Sequence, residues 1–338
     1  MASEATIDQY TRREVTEKVA STLADYYVDP EVGETMSDAL LGALAKHDYD
    51  ELDTPLAFCE RLTSDLQAIS NDLHLRVRYN DEPSLVQPPS IEYSPEDIAA
   101  FTDMSRRVNH GFYKIERLPG NIGYLDLRNF WDVGWEGAGD TASAAMALLY
   151  NTDALIFDLR RNGGGSPTMV AFLISYLVGP EPVHLNSFYL RMTDKTTQSW
   201  TQAYVPGKRM ADKPVYVLTS KKTFSGAEEF SYNLKNLKRA TLVGETTGGG
   251  AHPGGDVFVH PHYRVFVPIG RPTNPISGTN WEGVGVLPDI AVPQEEALTV
   301  AHRMALETVI AKLGDSPKGS ARTQSEEAKA ALVEIDSR

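Results

Sequence analysis

From about Thr6 to Ile69 the apolar positions recur with helical spacing, and from Gly120 onward they gather into short runs separated by turns. Val15, Val19, Leu23 and Tyr26 stand at i, i+4, i+8 and i+11, which is one face of a helix. Ser37, before Asp38 and the run Ala39, Leu40 and Leu41, reads as the N-cap of a second helix, and Thr54-Pro55 as the cap and first turn of a third. Residues 1–79 are therefore expected to form a small N-terminal helical bundle. Pro83, Pro88, Pro89 and Pro95 then interrupt any period, so residues 80–119 read as a linker or extended arm.

Beyond Gly120 the period shortens. Ile122–Leu127 reads as a strand, residues 141–150 as an Ala-rich helix, and the near-continuous apolar run 154–159 as a strand buried on both faces. Residues 169–178 follow as helix, Val215–Thr219 as strand, 227–237 as helix and 240–243 as strand. Strands alternating with helices imply an α/β (α+β) core over residues 120–313. Residues 256–260 and 264–268 look like a hairpin around Pro261-His262, and 295–313 like a closing helix. The polar stretch 314–338 is expected to fray, with 326–335 able to form one more helix.

Composition narrows the classes. Of 338 residues 41% are hydrophobic and 23% charged, enough apolar material for a sizeable core. A formal net charge of -14 and a sequence pI near 5.0 argue against nucleic acid as partner, because backbone binding needs clustered Lys and Arg. An anionic membrane surface would be repelled for the same reason, and no run approaches the roughly 18 apolar residues of a membrane span. Cys59 is the only cysteine, so no intramolecular disulfide is possible and a reducing compartment fits. MASEATIDQYTRREV shows no signal-peptide core, so the chain as written is expected in the cytoplasm, or outside it if a leader was removed.

Two turns carry chemistry. In PVYVLTSKKTFSGAEEF a buried strand runs through a polar turn into a helix, and Ser225 stands where that helix begins. The unpaired amides of a first helical turn, here led by Gly226, suit a tetrahedral oxyanion, and losing one such donor costs about 2.7–4 kcal/mol. The competing reading is a plain cap, since Glu228 three residues on completes a capping box. DLRRNGGG follows the buried 154–159 strand, and its glycines permit close backbone approach to a ligand, with Gly164 as a candidate second oxyanion amide and Gly163 as a candidate substrate contact. The turn lacks the Lys-Ser/Thr of a phosphate loop.

LTSKKTFSGAEEF, DLRRNGGG, GETTGGG and TNWEGVGVLPDI resemble, in order, segments of the C-terminal-processing (tail-specific) serine peptidases. That family includes the tricorn core protease and the repeats of interphotoreceptor retinoid-binding protein. ERLPGNIGYLDL and GRPTNPISGTNWEG are similar to the retinoid-binding-protein-like branch. The resemblance implies a crotonase/Clp-protease-like ββα core. Two departures accompany it. Residues 75–119 are too few for the PDZ domain many members insert, and Gly250 stands where tail-specific members place the lysine of a Ser-Lys dyad.

Another base is then required, because a serine hydroxyl is a weak nucleophile until its proton is taken. The tricorn-like pattern implies His74, in SNDLHLRVRY, as general base and Glu282, in TNWEGVGV, as the carboxylate that orients it. Leu73 replaces the serine that precedes the histidine in that branch. His252, just past the vacated lysine position, is the rival base. His260 and His262 flank the hairpin turn, and with His252 they show no zinc-site spacing, so neither metal nor cofactor is expected. The implied activity is peptide hydrolysis through an acyl-enzyme on Ser225. The alternatives are a non-proteolytic binder of a small apolar ligand and an esterase or amidase on a small metabolite. A homo-oligomer is compatible with either.

Overall fold

The computed structural model describes residues 6–86 and 94–337. Along the chain, α1 (Gln9–Tyr26), α2 (Pro30–Ala45) and α3 (Pro55–Ser70) precede β1 (Arg76–Tyr79). Then come α4 (Pro95–Arg107), β2 (Phe112–Leu118), β3 (Ile122–Leu127), α5 (Ala138–Leu149), β4 (Ala154–Asp158) and α6 (Pro167–Leu177). They are followed by β5 (His184–Leu190), β6 (Lys195–Trp200), β7 (Val215–Thr219), α7 (Gly226–Asn236) and β8 (Thr241–Gly244). The last elements are β9 (Gly254–His260), β10 (Tyr263–Pro268), β11 (Gly270–Thr273), β12 (Ile290–Ala291), α8 (Ala297–Leu313) and α9 (Ser320–Asp336). No helix among the described residues is long and apolar enough to cross a membrane.

The chain divides into two compact units. The first holds the described residues before Ser94, together with Ser187–Thr197 and Gly250–Thr273. The helical bundle is thus not a domain of residues 1–79 alone, since the expected hairpin belongs to it. In the antiparallel sheet β1-β10-β9, Val77 stands opposite Val265 and Val265 opposite Val257. These valines join Val15, Val19 and Leu23 of α1 in one buried cluster. The second helix begins at Pro30, seven residues before Ser37. Pro30 fits the first helical position, where no N–H is needed, and the Asp29 carboxylate accepts from the Glu31 and Val32 amides. Ser37 lies buried within that helix. At Thr54 the expected cap is present, its hydroxyl accepting from the Ala57 amide at 3.2 Å.

The second unit contains the sheet β12-β8-β7-β4-β3-β2, parallel except where β2 runs against β3. Both faces are covered. Ile122, Tyr124, Ala154, Ile156, Tyr216, Leu218 and Val243 pack with α8 and α9. The residues of opposite parity face the other way, where Phe157 meets Phe230 of α7 with ring centroids 5.2 Å apart. This two-sided burial explains the uninterrupted apolar runs.

Two expectations are corrected here. The stretch 80–119 is not all linker. Ser94 and Asp97 form a capping box, and Pro95 opens α4 rather than breaking a helix. The half-exposed strand β2 follows as the sheet edge; Pro88 and Pro89 lie outside the described residues. The tail does not fray either: the further helix expected over 326–335 is present and starts earlier, at Ser320. Ser325, Ala328 and Ala331 form a buried seam on α9, and a Cβ at Gly120 would lie 3.4 Å from that of Ala331. A seam of small residues reads as polar in hydropathy yet packs closely.

Two glycines of α2 give a paired test. A Cβ at Gly33 would lie 2.6 Å from the Leu23 carbonyl oxygen, whereas at Gly42 it would meet nothing within 4 Å. Gly42→Ala should therefore stabilise by up to about 1 kcal/mol through helix propensity. Gly33→Ala should destabilise by about 1–3 kcal/mol, the clash outweighing the same gain. Urea unfolding of both variants checks this, and stabilisation by both would overturn the close α1–α2 contact.

Candidate active site

In the second unit, β4 and β7 are adjacent and parallel, so the turns leaving their carboxyl ends are neighbours. Hydrogen bonds tie those turns together. The Thr223 hydroxyl donates to the Leu159 carbonyl at 2.8 Å, and the Ser220 hydroxyl to that of Arg160 at 2.7 Å. The Phe224 amide donates to Asn162 O at 3.1 Å. Fully buried Asn162 also donates through Nδ2 to Leu127 O at 2.9 Å. Asp158 at the head of the turn is gripped by Arg160 through two bonds of 2.9 and 2.6 Å. Burial alone would raise its carboxyl, but Arg160 and Tyr124 hold it below the usual carboxylate range.

Ser225 sits at the meeting point of these turns, half-buried, with φ 53° and ψ -123°. That backbone sets Ser225 apart from the other caps. Asp8, Asp29, Thr54, Ser94 and Ser166 cap their helices from ordinary extended conformations. Ser225 shares the capping box with Glu228 but adopts a positive φ that a cap does not need, at a cost of about 1–3 kcal/mol. Strain of this kind at a strand-to-helix turn is how a nucleophile is held out above a sheet.

Gly164, with φ +105°, lies directly against this serine. A Cβ there would stand 2.7 Å from both Ser225 Cβ and the Gly226 nitrogen. Only glycine leaves the Gly226 amide open, and no hydrogen bond among the described residues takes up that N–H. The Gly164 N–H donates to Asn162 Oδ1 at 2.8 Å, so its first role is to shape the turn. Gly163 is exposed beside it. Glu282, half-buried, follows buried Trp281, and its amide donates to Asn280 Oδ1 at 2.9 Å.

In the first unit, the two candidate histidines gather around a residue that spacing alone did not single out. Asp72 is fully buried. Its Oδ2 lies 2.8 Å from His252 Nδ1 and accepts from the Tyr27 hydroxyl at 3.2 Å, while Oδ1 is 3.6 Å from His74 Nδ1. Burial alone would raise the carboxyl, but the His252 and His74 rings hold it well below the carboxylate range. The available signal was Asp two residues before His in NDLH. His74 stacks on Phe266, ring centroids 5.5 Å apart. His262 is committed elsewhere, stacked on Tyr79 and bonded through Nδ1 to Asn80 O at 2.9 Å, and His260 is half-buried at the end of β9.

A parallel sheet that presents a strained serine at a helix N-terminus, beside an open amide, is an α/β arrangement that can set a hydroxyl next to an amide donor. The chain belongs to peptidase family S41: the profile of that family matches residues 121–292. The profile of the N-terminal domain of peptidase S41 in eukaryotic IRBP matches residues 9–110. The chain is similar to a carboxy-terminal-processing protease of Bartonella bacilliformis, 26% identical over 192 residues, which are 53% of this chain and 40% of the relative. It therefore spans well under half of that relative's length. Mature CPAF complexed with lactacystin has a TM-score of 0.60 at 12% identity, over 97% of this chain and 99% of that one. A photosystem II D1 C-terminal processing protease gives 0.51 at 15% identity, over 84% and 94%. A lipoprotein from Streptococcus agalactiae gives 0.53 at 13%, over 88% and 96%. At these identities the likeness shows the fold.

Asp72 sets an acid-stability test. An unfolded aspartate takes up its proton near 3.9, above the value of the buried group, so as pH falls below about 4 the unfolded chain binds protons first. The stability that Asp72 contributes at neutral pH is lost through that window. Asp72→Asn should lower Tm at neutral pH and flatten the acid limb between about pH 4 and 2. Equal acid slopes for both proteins would show that Asp72 is not held by the histidines.

Proposed function

We propose that this chain is a serine peptidase that cleaves peptides or unfolded segments through an acyl-enzyme on Ser225. The observation that carries the reading is the backbone of Ser225, strained beyond what capping requires and packed against a glycine that leaves the next amide open. The hydroxyl oxygen attacks the scissile carbonyl, and the Gly226 amide donates to the developing oxyanion. The Gly164 amide adds a second bond only by sharing its proton with Asn162. His74 is the general base that takes the hydroxyl proton and returns it to the leaving amine, and Glu282 is the acidic member of the triad, as the tricorn-like pattern implies. The sheet order β2-β3-β4-β7-β8, in which each strand lies beside the one before it, supports a crotonase-type description of the core.

His252 is the second reading for the base. Its Nδ1 bond to Asp72 is 2.8 Å against 3.6 Å for His74, and a short carboxylate bond is what fixes the tautomer of a catalytic imidazole.

A fluorophosphonate probe should label Ser225 of the purified protein. Ser225→Ala should abolish labelling and peptide hydrolysis with an unchanged Tm. Acylation should fall by about 10²–10⁴-fold in His74→Ala and only a few-fold in His252→Ala. The reverse ranking makes His252 the base. Absence of labelling in the wild-type protein removes the hydrolase reading and leaves a binder of small apolar ligands.

A further inference from the structure

Glu228 is fully buried on the first turn of α7, and three donors converge on its carboxylate. Oε2 accepts from the Ser225 amide at 2.9 Å. Oε1 accepts from the Thr247 hydroxyl at 2.5 Å and from the Gly249 amide at 2.7 Å. The chain of bonds continues on the far side. Thr247 Oγ1 accepts from the Val286 amide at 2.7 Å, and Gly249 O accepts from the Gly283 amide at 2.9 Å. Gly285 is pressed against the same segment, where a Cβ would lie 2.4 Å from Thr247 O. Residues 283–286 directly follow Glu282. One carboxylate thus links the backbone of the candidate nucleophile to the loop bearing the candidate acid, entirely within the second unit.

We propose that Glu228 is a positioning residue: its carboxylate fixes the strained Ser225 turn and the Glu282 loop as one rigid assembly. A capping box alone needs the Ser225 bond and nothing from residues 247–249. Two donors on the opposite oxygen make a cross-link instead, and donors on both oxygens are met by a carboxylate but not by an amide. The catalytic consequence rests on the peptidase reading above; the structural one does not.

Glu228→Gln keeps the volume and carries a single acceptor oxygen. Two donors face the loop side, so that oxygen turns towards Thr247 and Gly249, and the new NH2 group confronts the Ser225 N–H. Site-resolved hydrogen exchange should then show the Ser225 amide exchanging about tenfold faster or more, with Gly249 unchanged. In Glu228→Ala both amides should exchange faster. Fluorophosphonate labelling should slow by about 10²-fold in Glu228→Gln, with KM for a peptide substrate unchanged, because the nucleophile is misplaced and no substrate contact is removed. Thr247→Val leaves the Ser225 bond intact. It should speed exchange at Val286 and slow labelling several-fold, and it serves as the test if the Glu228 variants do not fold. The exchange pattern without any wild-type labelling would sink the peptidase reading and keep the cross-link. Unchanged exchange at Ser225 in Glu228→Gln, or unchanged labelling in Glu228→Gln and Thr247→Val of a wild type that does label, would overturn the proposal.

Discussion

Two turns at the carboxyl edge of the parallel sheet approach so closely that no side chain fits between them at position 164, where a Cβ would stand 2.7 Å from Ser225 Cβ. The rest of the site follows from that contact. It exists because β4 and β7 are neighbours, which places both outgoing turns at the same edge, where α/β sheets bind ligands. It forces Gly164 to a positive φ, and bonds from Phe224, Thr223 and Ser220 hold the two turns together. The Ser225 backbone takes its unusual conformation inside this clamp. Strain of a few kcal/mol persists only where surrounding bonds over-determine it, and here they do.

The strands and helices of the core were legible because burial on both sheet faces leaves runs that hydropathy alone reveals. The same rule hid the elements that bury little or bury small residues. β2 is a half-exposed edge, and the extent of α9 beyond the legible 326–335 was obscured because Ser325, Ala328 and Ala331 make a seam that is only weakly apolar. α4 was obscured by proline, a residue that breaks a helix from within but opens one from its first position. The misplaced start of α2 has the same origin, since Asp29-Pro30 is as good an entry signal as the serine chosen later in the helix.

Of the candidate residues, Ser225, Gly164 and Gly226 could be read because strand, turn and helix are contiguous in sequence. Their local conformation is what sets them apart from the other helix entries. Asp72 could not be weighed in the same way. Its importance comes from His252, 180 residues away, and from Tyr27, 45 residues away, which a linear pattern does not bring together. Buried polar hubs are generally of this kind. A carboxylate among helical residues looks like surface until the partners that satisfy it are assembled.

Glu228 and Glu229 show the limit sharply, because consecutive and chemically identical residues are driven to different roles. Glu228 meets three converging donors, an arrangement that suits the ionised form. Glu229 is buried as deeply but accepts from Asn186 Nδ2 at 3.0 Å, and burial pushes its carboxyl up to about 8. Near neutral pH Glu229 is therefore mostly protonated, and the first turn of α7 carries one buried negative charge rather than two. That matters next to a site where an oxyanion would form. A second carboxylate one residue on would oppose the helix N-terminus and the open Gly226 amide, the two features that favour negative charge there. The single charge that remains is committed to the Ser225 amide and to Thr247 and Gly249. It spends its field on holding backbone groups in place, while its neighbour stays neutral by lacking such donors.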